Sequence, residues 1–291
     1  MNIVKRVWAW IDDRSGFSNL VKPVLDHPVP PGSGWSYVFG SAALAAFILQ
    51  VITGMALATS YVTSAGEAYN SLKFITDNST LGYLLRGMHF YGASAMILMV
   101  GLHMIQVFLV GSYKFPRELN WLTGIVLLGA TVALGFTGQL LRWDDIAVWS
   151  VFVASSMAAR VPVLGNQLAQ FIIAGDTIGG ATLSRFFAFH VFFLPAVIFG
   201  VVAVHLTMVL YHGISEPPKA GRPVDPKTYR QWYHDYLERF GVPFWPDAAW
   251  RDIVFGIGMI AVIMILAIVF GPPQLGAPPD PSKIDAYPRP D

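Results

Sequence analysis

The chain has 291 residues, of which 54% are apolar and 13% charged, with a mean hydropathy of +0.52 and a net charge of +1. This is the composition of an integral membrane protein, and the near-zero charge implies no nucleic-acid partner. There is no cysteine, which excludes disulfides, cysteine-ligated iron–sulfur clusters, cysteine-ligated zinc and covalent c-type haem attachment through this chain.

In chain order, residues 1–34 form a mixed polar and aromatic segment ending in the helix-stopping "HPVPPGSGW". Its start, "MNIVKRVWAWIDDRSG", is amphipathic and has no signal-peptide h-region, so the first apolar span is expected to act as its own signal. Five spans follow, over about 35–60, 81–110, 120–141, 182–212 and 250–270. Residues 142–180, between the third and fourth, contain no spanning run and predict one or two short surface helices. Residues 213–249 read as a charged loop, and 271–291 as a Pro-rich, extended tail. The predicted architecture is all-α: a four-helix transmembrane bundle over 35–212, plus a fifth transmembrane helix.

Loop charge sets the orientation. The N-terminal segment, the link after the second span, and the 213–249 loop with Arg251 at its end hold twelve of the nineteen Lys and Arg. These regions share one side, so the N-terminus is expected to be cytoplasmic and the tail to lie on the outer face. The second and fourth spans then run parallel.

Those two spans carry paired histidines: His89 and His103, fourteen apart, and His190 and His205, fifteen apart. At ~1.5 Å and ~100° per residue, such steps cover roughly 21–23 Å and return to similar bearings. His89 is therefore expected to face His190 near the outer surface, and His103 to face His205 near the inner one. Two stacked bis-histidine sites suit two haems, because imidazole ligates iron well and filling both axial positions favours electron transfer. A single membrane histidine more commonly serves as an interhelical hydrogen-bonding group, but two pairs at nearly one long spacing favour the paired reading.

Glycines repeat the interval, with Gly40 and Gly54 in the first span and Gly124 and Gly138 in the third. Ordinary small-residue packing is the competing explanation. The shared spacing favours flat gaps for a macrocycle. Pro195 is expected to bend the fourth span and absorb its extra residue. Arg86, Arg117 and Arg185 lie at depths where they pair with haem propionates or snorkel to the interface. His27 and His234 are expected in solvated loops, and His212 at the end of the fourth span is open to either role.

These residues resemble cytochrome b of the quinol-oxidising cytochrome bc and bf complexes. The carrying motifs are "LLRGMHFYGAS", "GLHMIQVFLVGSYKFPREL", "GFTGQLLRWDDIAVWS" and "GGATLSRFFAFH" with "FLP". The resemblance runs from about residue 30 to the end, and the fifteen-residue step with "HGIS" is similar to the bf-type branch. It implies two non-covalent b-type haems. It also implies that quinol is oxidised at an outer site including Trp143 to Arg160, with Asp144, Trp149 and Ser150 near it, and that quinone is reduced at an inner site using Asp252. The resemblance further implies a Rieske-type iron–sulfur protein, a c-type cytochrome, a dimeric complex and a bacterial inner membrane. Arg142 stands where the family commonly has proline, and Ser150 where it often has Gly or Ala. Leu210 replaces a proton-relay histidine of the mitochondrial type, and Val38 replaces the cysteine of the bf type. "DPSKIDAYPRPD" resembles the approach to the PEWY motif, with Asp291 at the glutamate position. The remaining helices are expected on a separate subunit, or the chain is truncated. A di-haem anchor of a quinone-linked dehydrogenase is the alternative, but such anchors lack the paired glycines and the long segment at 142–180. A transporter would require mid-membrane polar residues, which the spans nearly lack.

Overall fold

The computed structural model describes residues 2–175, 177–219 and 224–280. Arg222 and Asp291 lie outside the described residues.

Before the first span come two short helices, α1 (Ile3–Ser15) and α2 (Phe17–Leu25), divided by Gly16 in the left-handed conformation. The first span is α3 (Phe39–Ala58). The polar link after it folds as α4 (Ala68–Asp77). The second and third spans are α5 (Gly82–Val110) and α6 (Glu118–Leu140). Gly111, at φ 77°, ends α5 by returning its N–H to the last turn. The segment between the third and fourth spans forms α7 (Asp145–Ala159) and α8 (Gly165–Ile173). The fourth span comprises α9 (Gly180–Ala188), one π turn at Phe189–Phe193, and α10 (Leu194–His212). The 213–249 loop contains α11 (Tyr229–Phe240), so His234 sits on a helix and not in a loop. The fifth span ends in α12 (Ala249–Val269). Among the described residues five helices are thus long and apolar enough to cross a membrane, which bears out the all-α membrane architecture.

The four bundle helices pack as two couples, α3 along α5 and α6 along α10, with α12 against the outside of α5. Gly87 permits that last contact, since a Cβ there would lie 3.0 Å from the Ala267 methyl. A two-residue antiparallel ladder joins β1 (Pro28–Val29) to β2 (Val242–Pro243), and Phe244 N–H donates to the His27 carbonyl at 2.8 Å. The segment before α3 and the segment before α12 therefore lie together at one end of the bundle. His27 is half-buried and not solvated, and burial lowers its pKa.

Two apolar cores form. One gathers Leu140, Trp143, Ala147, Val151, Leu183 and Phe186 where α7 docks on the bundle end. The other, Ala46, Phe47, Met96 and Ile198, lies mid-bundle. Phe47 stands seven residues from both Gly40 and Gly54, and Met96 seven from both His89 and His103. This core is thus an apolar septum halfway between the histidine levels.

Sequence reasoning placed the absorbing bend of the fourth span at Pro195. The extra residue is instead taken up by the π turn, where Leu194 N–H reaches the Phe189 carbonyl five residues back. Pro195 lacks the N–H that an α turn would use, which favours this widening.

Residues after α12 cross the bundle end as a strap. Arg86 donates to the Pro273 carbonyl at 2.8 Å, Arg142 to Gln274 at 3.1 Å and Tyr69 to Gly276 at 3.0 Å. Asp144 holds it from below. Its Oδ2 accepts the Gly276 N–H at 2.9 Å and pairs with Arg142, while its Oδ1 caps α7 through Ala147 N–H at 2.9 Å. Asp144 was expected at a quinol site, but it is 0% exposed and both oxygens are engaged. In this fold it caps α7 and anchors the strap.

Asp144→Ala should lower stability by at least ~1 kcal/mol from the lost cap alone, with the strap becoming open to proteolysis near residue 274. Asp144→Asn, which keeps a capping oxygen, should lose less. Thermal melts in detergent, followed by limited proteolysis, check both.

Candidate functional site

His89 and His190 come together with ring centres 6.2 Å apart. They lie in a cavity of about 390 Å³ that also reaches Gly54, Gly138, Arg86 and Arg142. His103, seated on Gly40, and His205, beside Thr123, lie fourteen and fifteen residues further along the same two helices. The parallel run of α5 and α10 thus creates two levels: a first deck at His89/His190 and a second at His103/His205.

The glycines behave differently from the expectation of open gaps. A Cβ on Gly54 would lie 3.0 Å from His89 Cε1, one on Gly40 would lie 3.1 Å from His103 Cε1, and one on Gly138 would lie 2.6 Å from His190 Cε1. Three glycines therefore seat imidazole edges against a bare backbone. Gly124 is the exception, meeting only Met104 Sδ at 3.6 Å.

Residue types alone did not single out the threonines that precede three of these glycines. Thr53 Oγ1 lies 2.9 Å from His89 Nδ1, Thr137 Oγ1 3.2 Å from His190 Nδ1, and Thr123 Oγ1 2.8 Å from His205 Nδ1. The available signal was the Thr-Gly doublet, present at 53–54, 123–124 and 137–138. With Nδ1 engaged, Nε2 is the ring nitrogen left for a ligand.

The arginines divide. Arg86 lines the first-deck cavity and is held by Thr76 Oγ1 at 3.0 Å as well as by the strap. Arg142 lines it too, and its Nε is buried with no hydrogen-bond partner. Arg117, expected near a propionate, is spent elsewhere. It donates to the carbonyls of Gly213 at 2.7 Å and His212 at 3.2 Å, closing the end of α10, and to Tyr229 Oη at 2.9 Å. Tyr229 Oη in turn donates a hydrogen bond to Glu216 Oε2 at 2.9 Å, and burial pushes its pKa up to about 12, so it keeps its proton. Arg185, also expected near a propionate, donates to the Phe171 carbonyl and stacks on that ring, tying α9 to α8. Both reassignments have one cause: an arginine with a nearby helix-end carbonyl or aromatic face satisfies itself locally.

Among the other expected residues, Asp252 Oδ1 accepts from Ser41 Oγ at 2.8 Å, joining the first turn of α12 to α3. Trp143 is buried and donates to the Ala65 carbonyl at 2.9 Å. Ser150 bonds back to Ile146 within α7.

The first deck fits a haem on its own geometry. Metal–imidazole bonds of roughly 2.0–2.1 Å on each side, plus about 1 Å from each Nε2 to its ring centre, give a separation of about 6 Å. The cavity wall also holds the unpartnered polar atoms Gln50 Nε2, Tyr61 Oη and Arg142 Nε, which suit a group bearing carboxylates.

Residues 24–213 match the family model described as cytochrome b/b6/petB. The chain is 38% identical over 224 residues to the menaquinol:cytochrome c reductase cytochrome b subunit of Bacillus subtilis (strain 168), spanning 74% of this chain and 100% of that one. It is 36% identical over 214 residues to cytochrome b6 of Synechococcus elongatus, with the same shares. Among solved structures, it is similar to a chain of a hyperthermophilic respiratory Complex III. The TM-score is 0.78 and the identity 26%, covering 94% of this chain and 71% of the other.

Gly138→Ala should drive the new methyl into the His190 ring and lower the melting temperature. Gly124→Ala, with room for a methyl, should be neutral or gain up to ~1 kcal/mol from helix propensity. Paired melts in detergent separate the two, and equal losses would contradict the seating role of Gly138.

Proposed function

Because the chain belongs to the cytochrome b/b6 family, we propose that it is the haem-carrying cytochrome b subunit of a quinol oxidoreductase, linking an outer quinol-oxidation site to an inner quinone-reduction site across the membrane. The observation that carries this reading is the 6.2 Å separation of His89 and His190 in their cavity. His89 and His190 would hold one b-type haem, and His103 and His205 a second. When bound, the haems supply one-electron carriers at two depths.

The chain's own residues do the rest. His89, His190 and His205 offer Nε2 because Nδ1 is engaged by a threonine of the neighbouring helix. Arg86 and the unpartnered Arg142 Nε set positive charge at the first-deck rim, where propionate carboxylates are neutralised. The septum of Phe47, Met96 and Ile198 keeps water out between the decks. Asp252, fixed through Oδ1 by Ser41, exchanges a proton with quinone at the inner face. The N-terminal segment is assigned to the cytoplasm on the strength of the Lys and Arg distribution, and the membrane to a bacterial cell membrane on the strength of relatives such as that of Bacillus subtilis.

The relatives' names, a menaquinol:cytochrome c reductase subunit and cytochrome b6, support partnership with a Rieske-type iron–sulfur protein and a c-type cytochrome. The remaining cytochrome b helices are assigned to a separate subunit of a dimeric complex.

A reduced-minus-oxidised spectrum with a pyridine haemochrome assay should give two b haems per chain, and His103→Leu should remove one and leave the other. Deleting Phe192 within the π turn should keep both haems, because the turn relaxes to α. Deleting Val201 in regular helix should rotate His205 by about 100° relative to His190 and cost the second. Wild-type protein that is folded and free of haem would overturn the reading. Asp252→Asn should slow quinone reduction on the order of 10²-fold in stopped-flow assays with both haems retained.

A further inference from the structure

Every threonine hydroxyl at the decks is committed to its own helix. Thr53 Oγ1 donates to the Leu49 carbonyl at 2.7 Å, Thr137 Oγ1 to Ala133 at 2.8 Å, and Thr123 Oγ1 to Asn120 at 2.9 Å. A hydroxyl has one proton. With that proton spent on the backbone, Oγ1 can only accept from an imidazole, so the facing ring carries its hydrogen on Nδ1. The partnership thereby fixes the tautomer without any charged group.

The four histidines are not served alike. His190 has Thr137 at 3.2 Å and His205 has Thr123 at 2.8 Å as their hydrogen-bonding side chains. His89 has Thr53 as its hydrogen-bonding side chain. His103 has none: its Nδ1 is buried without a partner, and the residue before Gly40 is Phe39, where the doublet pattern would place threonine.

We propose that Thr53 is a positioning residue that tunes the redox potential of the first-deck haem, by accepting the His89 Nδ1 proton and making that imidazole a stronger donor to ferric iron. The proposal rests on the haem reading above. An outer hydrogen bond of this kind raises ligand basicity, which favours the ferric state and lowers the potential. Thr137 acts likewise on His190 but across 3.2 Å rather than 2.9 Å, so its influence is smaller. At the second deck, Thr123 serves His205 while His103 goes unserved. The tuning is therefore uneven between the decks, although their histidines are the same.

The test is a potentiometric titration of both b haems in membranes holding the complete complex. Thr53→Val removes the acceptor while keeping the shape, and Thr53→Ser keeps the acceptor. The expected result is an upward shift in the midpoint of one haem in Thr53→Val, with the other unmoved and the Thr53→Ser midpoint returned to the wild-type value. The ferric electron paramagnetic resonance signal of the same haem should move with it. If Thr53→Val fails to assemble, Thr137→Val should give a smaller upward shift of the same haem. Both haems present with unchanged midpoints would overturn the proposal, as would equal shifts in the Val and Ser variants. Wild-type complex that holds no haem would instead overturn the underlying reading.

Discussion

A buried imidazole has two nitrogens to satisfy, and in this bundle the second of them organises the helices around it. Threonine on the adjacent helix takes Nδ1 at three of the four histidines, and at His89 and His190 the glycine beside it also lets the ring edge reach the backbone. The histidine-bearing helices α5 and α10 are consequently bound to α3 and α6 at fixed heights, and helix couples form in place of a loose four-way cluster. The polar bond fixes rotation about each helix axis, and the small residue fixes the distance. Neither would do so alone, because a methyl at glycine would expel the ring and an apolar neighbour would leave a buried N–H unpaired.

Between the levels the chemistry reverses. Phe47, Met96 and Ile198 fill the centre, with Phe47 meeting Phe199 edge-on at 4.9 Å. Seven residues is nearly two helical turns, so a side chain midway between two ring-seating positions points the same way they do. The septum therefore comes from the same periodicity that produces the decks. The outward faces of the spans remain apolar and exposed, as a helix surrounded by lipid requires.

Much of this was legible in the sequence, because helix arithmetic transfers directly from residue number to bearing. The histidine levels and the run of five spans are of that kind. The fates of Arg117, Arg185 and Asp144 were not legible, because long or charged side chains settle on whichever carbonyl, ring or N–H the tertiary fold brings near, and those partners lie up to 132 residues away. Pro195 gave a signal of the right sort in the wrong place: the widening precedes it by a turn and surrounds His190 itself. The threonines were hidden by their ordinariness, since in a membrane helix most such residues simply bond back to their own backbone.

The strap that follows α12 carries an implication for the order of events in making this protein. Arg86 on α5 and Arg142 at the end of α6 take carbonyls from Pro273 and Gln274, residues synthesised after all five spans. While the nascent chain holds only its first four spans, both arginines lack these partners and the rim of the first cavity has no cover from that side. Closure at that rim belongs to a stage of synthesis after the fifth span. The bundle therefore leaves the cavity at His89 and His190 uncovered on that side while its spans are being made, and covers it with residues that follow all of them.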